Sequence, residues 1–163
     1  MIVSLKVPDT TAITALQALR KIGFDEIKDV KKEDYYKFLT EDSEEQFKNN
    51  ISKVDVLVNV NKNSFDFSVK KDNAVKLLVK STKIEDFRDT KNPKDFLVNI
   101  NDDGSGILST LKNRLGFKNI KKAEKAVLWS LFIDADENKA KNIAEKAAKE
   151  LLVNEHYQEY VIL

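Results

Sequence analysis

The side chains that could carry out chemistry are few in this 163-residue sequence. It has no cysteine and a single histidine, His156, so neither a thiol nucleophile nor a histidine pair for a metal or a proton relay is available. His156 follows the end of a predicted helix in a polar stretch, which is typical of a solvated surface residue. We therefore expect no metal site.

Two polar segments resemble binding loops but fit the ends of helices better. The loop NDDGSG, residues 101–106, lacks the lysine of a phosphate-binding loop and the glycine pattern of a dinucleotide turn. It lies where a predicted strand passes into a helix, and Asp, Ser and Gly are common turn and cap residues there. The second segment is an acidic run that begins another predicted helix and complements its dipole, formed by Glu41, Asp42, Glu44 and Glu45.

The remaining composition excludes several classes of function. Trp129 lies among alternating apolar residues, which predicts a core position rather than a stacking platform. The formal net charge is +1 and the basic residues are scattered, so we expect no binding to nucleic acid. No apolar run is long enough to span a membrane, and Met1–Lys6 does not resemble a signal peptide. We expect a cytoplasmic protein with no catalytic residues and no cofactor.

The predicted secondary-structure elements that would hold these residues occur twice in the sequence. The segments RKIGFDEIKDVKK, residues 20–32, and NRLGFKNIKKAEK, residues 113–125, share the same phrase at an offset of 93 positions. At that offset Ile2–Val69 aligns with Asp95–Ile162 without a gap, and the apolar pattern keeps its phase throughout. The sequence therefore predicts two copies of one folding unit.

Each copy reads as strand, helix, two strands, helix and strand. Alternation predicts first strands at Val3–Val7 and Phe96–Ile100, and further strand regions at Ile27–Thr40 and Ile120–Ile133. Helical stripes combine Ala15, Ala18 and Ile22 in the first copy with Leu108, Leu111 and Leu115 in the second. The stretch Val54–Val60, VDVLVNV, alternates like a strand, but we predict mostly helix because its partner AAKELLV has helical propensity. Final strands are predicted at Phe65, Phe67 and Val69, and at Tyr160 and Ile162.

The repeated phrase ends a predicted helix in each copy. Gly23 and Gly116 follow the helical stripes, and glycine takes a left-handed cap without steric cost. Phe24 and Phe117 come next and can fold back on the stripe. The order βαββαβ predicts an α+β protein of two ferredoxin-like units.

The predicted central strands are apolar on both faces, so each needs a cover besides its own helices. Tyr36 and Trp129 lie on one face, whereas Leu39 and Phe132 point the other way. We therefore predict that the two units pack sheet to sheet as an internal pseudo-dimer, in a chain that is monomeric. The predicted units are residues 1–69 and 95–163. Residues 70–94 join them and include an extra edge strand at Ala74–Lys80 and a linker at Glu85–Pro93.

The closing segment Leu151–Ile162 resembles the end of PurS, the small subunit of bacterial phosphoribosylformylglycinamidine synthase. That family ends in Leu-Leu-x-Asn-Pro, a few residues, then a tyrosine and a strand. The residues that match here are Leu151, Leu152, Asn154 and Tyr160, with Glu155 in place of the proline. Front-half matches are Leu5 with Lys6, the helix stop with Gly23 and Phe24 that recurs at Gly116 and Phe117, and Ile27–Val30.

The resemblance implies a role without catalysis. PurS holds a glutaminase subunit and an ATP-using synthetase subunit together, so that ammonia from glutamine reaches the substrate. The resemblance thus implies a subunit of an ATP-dependent glutamine amidotransferase, with two copies of PurS joined in one chain. An alternative from another class is a stand-alone small-molecule-sensing module, because paired ferredoxin-like units can bind ligands between them.

Overall fold

The computed structural model describes residues 1–81 and 104–163. Its strands are β1 Ile2–Leu5, β2 Ile27–Thr40, β3 Asn63–Asp66, β4 Val75–Ser81, β5 Ile120–Ile133 and β6 Gln158–Ile162. Its helices are α1 Thr10–Lys21, α2 Glu44–Ile51, α3 Ser105–Asn113 and α4 Glu137–Ala147, and a π-helical turn, Ala148–Leu152, continues α4. The predicted strand at Phe96–Ile100, the linker Glu85–Pro93 and residues 101–103 of the polar loop lie outside the described residues.

The described strands form one antiparallel sheet of six strands in the order β3-β1-β2-β5-β4-β6. The α+β class is therefore confirmed. At its centre the two 14-residue strands β2 and β5 pair along their whole length. Asp34 pairs with Val127, and these two numbers differ by 93, the offset of the repeat. Residues that the offset of 93 aligns thus meet across the middle of the sheet.

This sheet corrects two predictions. Ile27–Thr40 and Ile120–Ile133 have the predicted bounds, but each is one continuous strand rather than a pair. The two halves do not pack sheet to sheet; they join edge to edge through β2 and β5. Pairing two long strands satisfies their backbone groups while leaving one face for helices, so no second sheet is required.

The strand predicted at Ala74–Lys80 is present as β4, but not at an edge. It lies between β5 and β6 and pairs with both. Strand β4 is the outer neighbour of β5, just as β1 is the outer neighbour of β2. The division of the chain at residues 69 and 95 stays a prediction.

All four helices pack on one face of the sheet, which we call the helix face, over two apolar cores. In core 1, α1 buries Ala12 and Leu19 against Trp129 and Leu131 of β5 and against α4. In core 2, α3 buries Leu111 against Tyr36 of β2 and against α2. Each core therefore combines the first helix of one half with the second helix of the other half.

Local sequence sets the ends of the helices. Asp9 caps α1, accepting from the Thr11 N–H at 2.7 Å, and Asp136 caps α4, accepting from the Lys139 N–H at 3.0 Å. Ser43 caps α2, and the acidic run begins that helix as predicted, with Glu44 and Glu45 in the first turn. One residue of each predicted stripe is wrong, because Ile22 and Leu115 lie past the ends of α1 and α3 and are exposed.

The second helix of the first half is shorter than predicted. Helix α2 ends at Ile51, and Val54–Val60 contains a single turn in which the N–H groups of Leu57 and Val58 donate to the Val54 carbonyl, each at 2.9 Å. The stretch is thus neither a strand nor mostly helix. Val54, Leu57 and Val58 are buried in core 2, which explains their apolar character.

Both glycines of the repeated phrase have positive φ, as predicted, at +99° for Gly23 and +76° for Gly116. After α1 the N–H of Gly23 donates to Arg20 O and the N–H of Phe24 donates to Leu19 O, both at 3.1 Å. This is the pattern of a left-handed helix cap. Phe24 then packs on core 1, and Phe117 on core 2.

We expect Gly23→Ala and Gly116→Ala each to lower the free energy of unfolding by about 1 kcal/mol, because an L side chain resists this backbone conformation. A Cβ would meet nothing within 4 Å at either position, so the cost is conformational. Gly106 inside α3 has ordinary φ and equal space. Gly106→Ala should therefore raise the free energy of unfolding. Denaturant titration of the three variants measures these changes, and a change of the same sign in all three would contradict the prediction.

The other face of the sheet, which we call the open face, is crossed by the segment that joins β3 to β4. Leu128 and Ile2 point to this face and are nevertheless buried. Ser68 and Lys70 of the crossing segment line a small cavity with them, of about 60 Å³. A chain crossing, rather than a second sheet, thus covers the middle of this face.

The crossing segment is held by a buried lysine. The Lys76 ammonium lies 2.9 Å from the Asp72 carboxylate and donates to Ser130 Oγ at 3.1 Å. Burial by itself would raise the pKa of Asp72, but the hydrogen bonds from Lys76 and from the Ala74 N–H outweigh it and hold that pKa below its ordinary value.

A lowered pKa in the folded state means that Asp72 stabilises the fold at neutral pH and that this contribution is lost in acid. The contribution should be complete above the unfolded-state pKa and should disappear as pH falls through the lower folded-state pKa. We expect the stability of Asp72→Asn to vary less with pH than that of the wild type below about pH 4. Urea titrations across that range would contradict the assignment if both proteins lost stability in parallel.

Candidate interaction surface

The residues of the closing motif lie on and after the π-helical turn. Leu151 is exposed on the last turn, whereas Leu152 and Val153 are buried in core 1. The Val153 N–H donates to the Ala148 carbonyl at 2.9 Å, which is the wider spacing of a π-helix. Tyr160 follows in β6, on the helix face, opposite Val79.

Asn154 organises the turn between the π-helical segment and β6. Its Oδ1 accepts from the His156 N–H at 3.1 Å, and its own N–H donates to Gln158 Oε1 at 2.9 Å. Its carbonyl accepts from the N–H groups of Tyr157 and Gln158 at 2.9 and 2.8 Å. We call this four-bond arrangement the asparagine turn.

The same turn occurs in the first half, centred on Asn59. The N–H of Asn61 donates to Asn59 Oδ1 at 3.1 Å, and the N–H of Asn59 donates to Asn63 Oδ1 at 3.2 Å. The Asn59 carbonyl accepts from the N–H groups of Lys62 and Asn63 at 2.9 and 2.7 Å. All four bonds of the turn at Asn154 therefore recur at Asn59.

This equivalence corrects the gapless alignment. Asn59 and Asn154 differ by 95 positions, and so do Phe65 and Tyr160, which face Val3 and Val79 in the sheet. The offset of 93 thus holds through the long strands and becomes 95 after the second helix. The extra two residues fall where the second half has its π-helical turn.

The missed equivalence has a signal in the sequence. With a two-residue gap, Val56-Leu57-Val58-Asn59 aligns with Leu151-Leu152-Val153-Asn154, and three of the four residues are identical. The sequence prediction paired Asn61 with Asn154 instead, because it allowed no gap. The first half therefore carries its own copy of the closing motif.

The front-half motif lies beside the asparagine turn of the first half. Lys6 Nζ donates to the Val60 carbonyl at 2.6 Å, and the Lys6 N–H donates to the Lys62 carbonyl at 2.9 Å. Leu5 ends β1 and is partly exposed. The glycine and phenylalanine pairs lie instead at the helix ends, so the motif residues support local structure and do not converge on one site.

A groove lies on the helix face between α1 and the π-helical turn, with a volume of about 450 Å³. Its walls are apolar or carry hydroxyl groups, and we call it the α1–π groove. It is lined by Thr10, Thr11, Thr14, Ala15, Ala18, Trp129, Leu151 and Leu152. Trp129 is buried, as predicted, and lies at the sheet side of the groove, whereas the threonines and Leu151 are exposed. Leu151 and Leu152 of the closing motif thus also line this apolar groove.

The described residues offer little for catalysis. His156 is exposed and its ring centroid lies 6.2 Å from that of Tyr157. Across residues 1–81 and 104–163, no three His, Cys, Asp or Glu side chains are grouped as metal ligands would be. In the same ranges no helix has the length and apolar character needed to cross a bilayer. The exposed apolar groove makes an interaction surface the strongest candidate site.

A comparison with known protein families found a match, which includes part of this surface. Residues 99–163 match the family model of PurS, described as phosphoribosylformylglycinamidine (FGAM) synthase. This part of the chain is similar to PurS. The predicted resemblance is confirmed for this segment, and the match covers α3, β5, α4, the π-helical turn and β6. No curated protein sequence matches the chain.

The matched segment contains the closing motif and part of the groove. It includes Leu151, Leu152, Asn154 and Tyr160, and it includes three of the residues that line the α1–π groove. It excludes α1, which forms the other wall. The groove is therefore built from the PurS segment and from a helix of the first half.

Proposed function

We propose that the chain is a non-catalytic subunit of FGAM synthase, in which two PurS-type copies are joined covalently. The observation that carries the proposal is the PurS match over residues 99–163. The subunit would hold a glutaminase and a synthetase subunit together in the cytoplasm, so that ammonia passes from one to the other. The chemistry would belong to those partners.

The internal pairing supports the idea that the chain is a covalent pseudo-dimer. The asparagine turn occurs at Asn59 and at Asn154 with the same four hydrogen bonds. The two long strands pair symmetrically about Asp34 and Val127. A duplicated subunit would have this arrangement, with the second copy held at high effective concentration by the chain itself.

Affinity purification from the native cell tests the proposal. A tagged chain should recover a glutaminase and an ATP-using synthetase, identified by mass spectrometry, whereas the tag alone should recover neither. Recovery of both subunits in proportion to the tagged chain would support the bridging role. Failure to recover either subunit under gentle conditions would contradict it.

The alternative, a small-molecule-sensing module, makes the opposite prediction in the same preparation. Its supporting observation is the α1–π groove, which is large enough for a small ligand. A metabolite that raised the melting temperature of the isolated chain, with no subunit recovered, would favour sensing. The FGAM synthase proposal instead predicts stabilisation by the partner subunits.

A further inference from the structure

The two cores differ in how fully their first helix fills the space above the sheet. In core 2, α3 places Ile107 and Leu108 against the core. The helix ends align α3 with α1 at an offset of 92, because the Ile22 N–H donates to the Ala18 carbonyl as the Arg114 N–H donates to the Thr110 carbonyl. Leu108 then corresponds to Leu16, which packs on core 1, whereas Ile107 corresponds to Ala15, which lines the α1–π groove. The groove thus lies where the other core holds a larger aliphatic side chain.

The second wall of the groove differs between the halves as well. The second half has the π-helical turn that presents Leu151 and Leu152, whereas the first half has only a single turn before Asn59. Leu151 is 41% exposed although it is a leucine on a helical segment that packs on the sheet. π-Helical insertions are frequent at functional sites, so this feature points to the groove independently of the small side chains.

A lysine of β2 lies beside Trp129, next to the groove. Lys32 of β2 is directly opposite Trp129 of β5 and therefore on the helix face, with Cβ atoms about 5 Å apart in such a pair. Lys32 is partly buried and forms no ion pair with any described residue, including Asp34 two residues along the same strand. A carboxylate brought to the groove would be attracted to it.

We propose that the α1–π groove is a docking site for a partner protein, which inserts an aliphatic side chain above Trp129 and places a neighbouring carboxylate near Lys32. The inference deepens the proposed function, on which it rests for the identity of the partner. Because Ile107 occupies in core 2 the position that Ala15 has in core 1, we expect each chain to offer this site once. The duplicated subunit is therefore asymmetric and takes one such segment per chain.

The groove favours a protein segment over a small molecule because one side is open. Three threonines and Leu151 are exposed around it, so a small ligand would stay largely in water. An aliphatic side chain held by its own backbone needs only the apolar wall. The chain's only tryptophan lies at this site, so its fluorescence reports occupancy.

Filling the groove tests the proposal with the full chain and the glutaminase and synthetase subunits as probes. Ala15→Leu places a large aliphatic side chain where Ile107 supplies one in core 2, and it should weaken complex formation at least tenfold. Gln17→Leu adds the same side chain to α1 outside the groove and should leave binding unchanged. Lys32→Glu should also weaken binding and should alter its salt dependence. Circular dichroism and melting curves would show that each variant is folded.

A dipeptide probe separates failure of the groove from failure of the proposed function. N-acetyl-leucyl-glutamate amide at millimolar concentration should shift the Trp129 indole and the α1 threonine amides in NMR spectra, and the leucyl-lysine analogue should shift them less. Lys32→Glu should reverse that preference, and Ala15→Leu should abolish the shifts.

The outcomes are distinct. If the wild type binds neither subunit, the proposed function fails. The NMR shifts caused by the dipeptide then test by themselves whether the groove is a docking site. If the subunits bind but Ala15→Leu and Lys32→Glu bind them as the wild type does, the docking site is overturned. When the wild type binds neither subunit, absence of any NMR shift at Trp129 with the leucyl-glutamate probe would also overturn the docking site.

Discussion

Neither half of the chain is expected to fold as a monomer when the chain is divided between Glu85 and Pro93, and mixing the halves should restore the fold. The reason is that the cores are shared. Core 1 depends on Leu19 from the first half and Leu131 from the second, and core 2 depends on Tyr36 and Leu111 in the same way. Each isolated half would expose both an unpaired long strand and half of two cores.

Co-expression of the two fragments provides the measurement. Expressed alone, each should be insoluble or self-associated in light scattering. Expressed together, they should elute at the mass of one intact chain, and the intact chain itself should be monomeric at low concentration. A half that is folded and monomeric alone would show that the two halves do not depend on each other.

The second large effect is expected from a single core side chain. Leu19 of α1 is fully buried, and Leu19→Ala should lower the free energy of unfolding by about 3 kcal/mol. Because both cores rest on the paired strands β2 and β5, we expect one transition for the whole chain. Trp129 fluorescence and far-UV circular dichroism should therefore give the same midpoint in urea.

Two matched variants sharpen this test. Leu111→Ala removes the corresponding buried side chain of core 2, away from Trp129, and should still shift the transition that Trp129 reports. Leu39→Ala removes a leucine that is 61% exposed and should change stability by less than about 0.5 kcal/mol. A Trp129 transition that is unaffected by Leu111→Ala would mean that the cores unfold independently.

Much of the fold could be predicted because the repeated pattern gives two separate indications of each secondary-structure element. Alternation gave the bounds of both long strands and the face on which Trp129 lies, and Gly23 and Gly116 marked the helix ends. These features depend on local periodicity and on the conformational freedom of glycine, which the sequence states directly.

The packing of the two halves could not be predicted in the same way. Apolar residues such as Leu128 on the second face show that a cover exists, but they do not show whether it is a sheet or a crossing chain. Edge-to-edge pairing of β2 with β5 is a property of backbone groups, which every sequence has. The position of β4 inside the sheet escaped prediction for the same reason.

The candidate site was harder to predict than the packing of the two halves. The asparagine turn at Asn59 became visible only through its hydrogen bonds, because a two-residue insertion shifts it against the rest of the repeat. The α1–π groove depends on the small side chain of Ala15 at a position where the other half has Ile107. Small residues on a helix read as ordinary core when the sequence is considered alone.

Reconstitution of glutamine-dependent amidation tests the central claim most directly. The chain, a glutaminase subunit and a synthetase subunit from the same cell are combined with glutamine, ATP and formylglycinamide ribonucleotide, and each component is left out in turn. The account predicts that the product forms only when all three proteins are present and that this chain alone turns over neither glutamine nor ATP. Full activity in the absence of this chain would contradict the account.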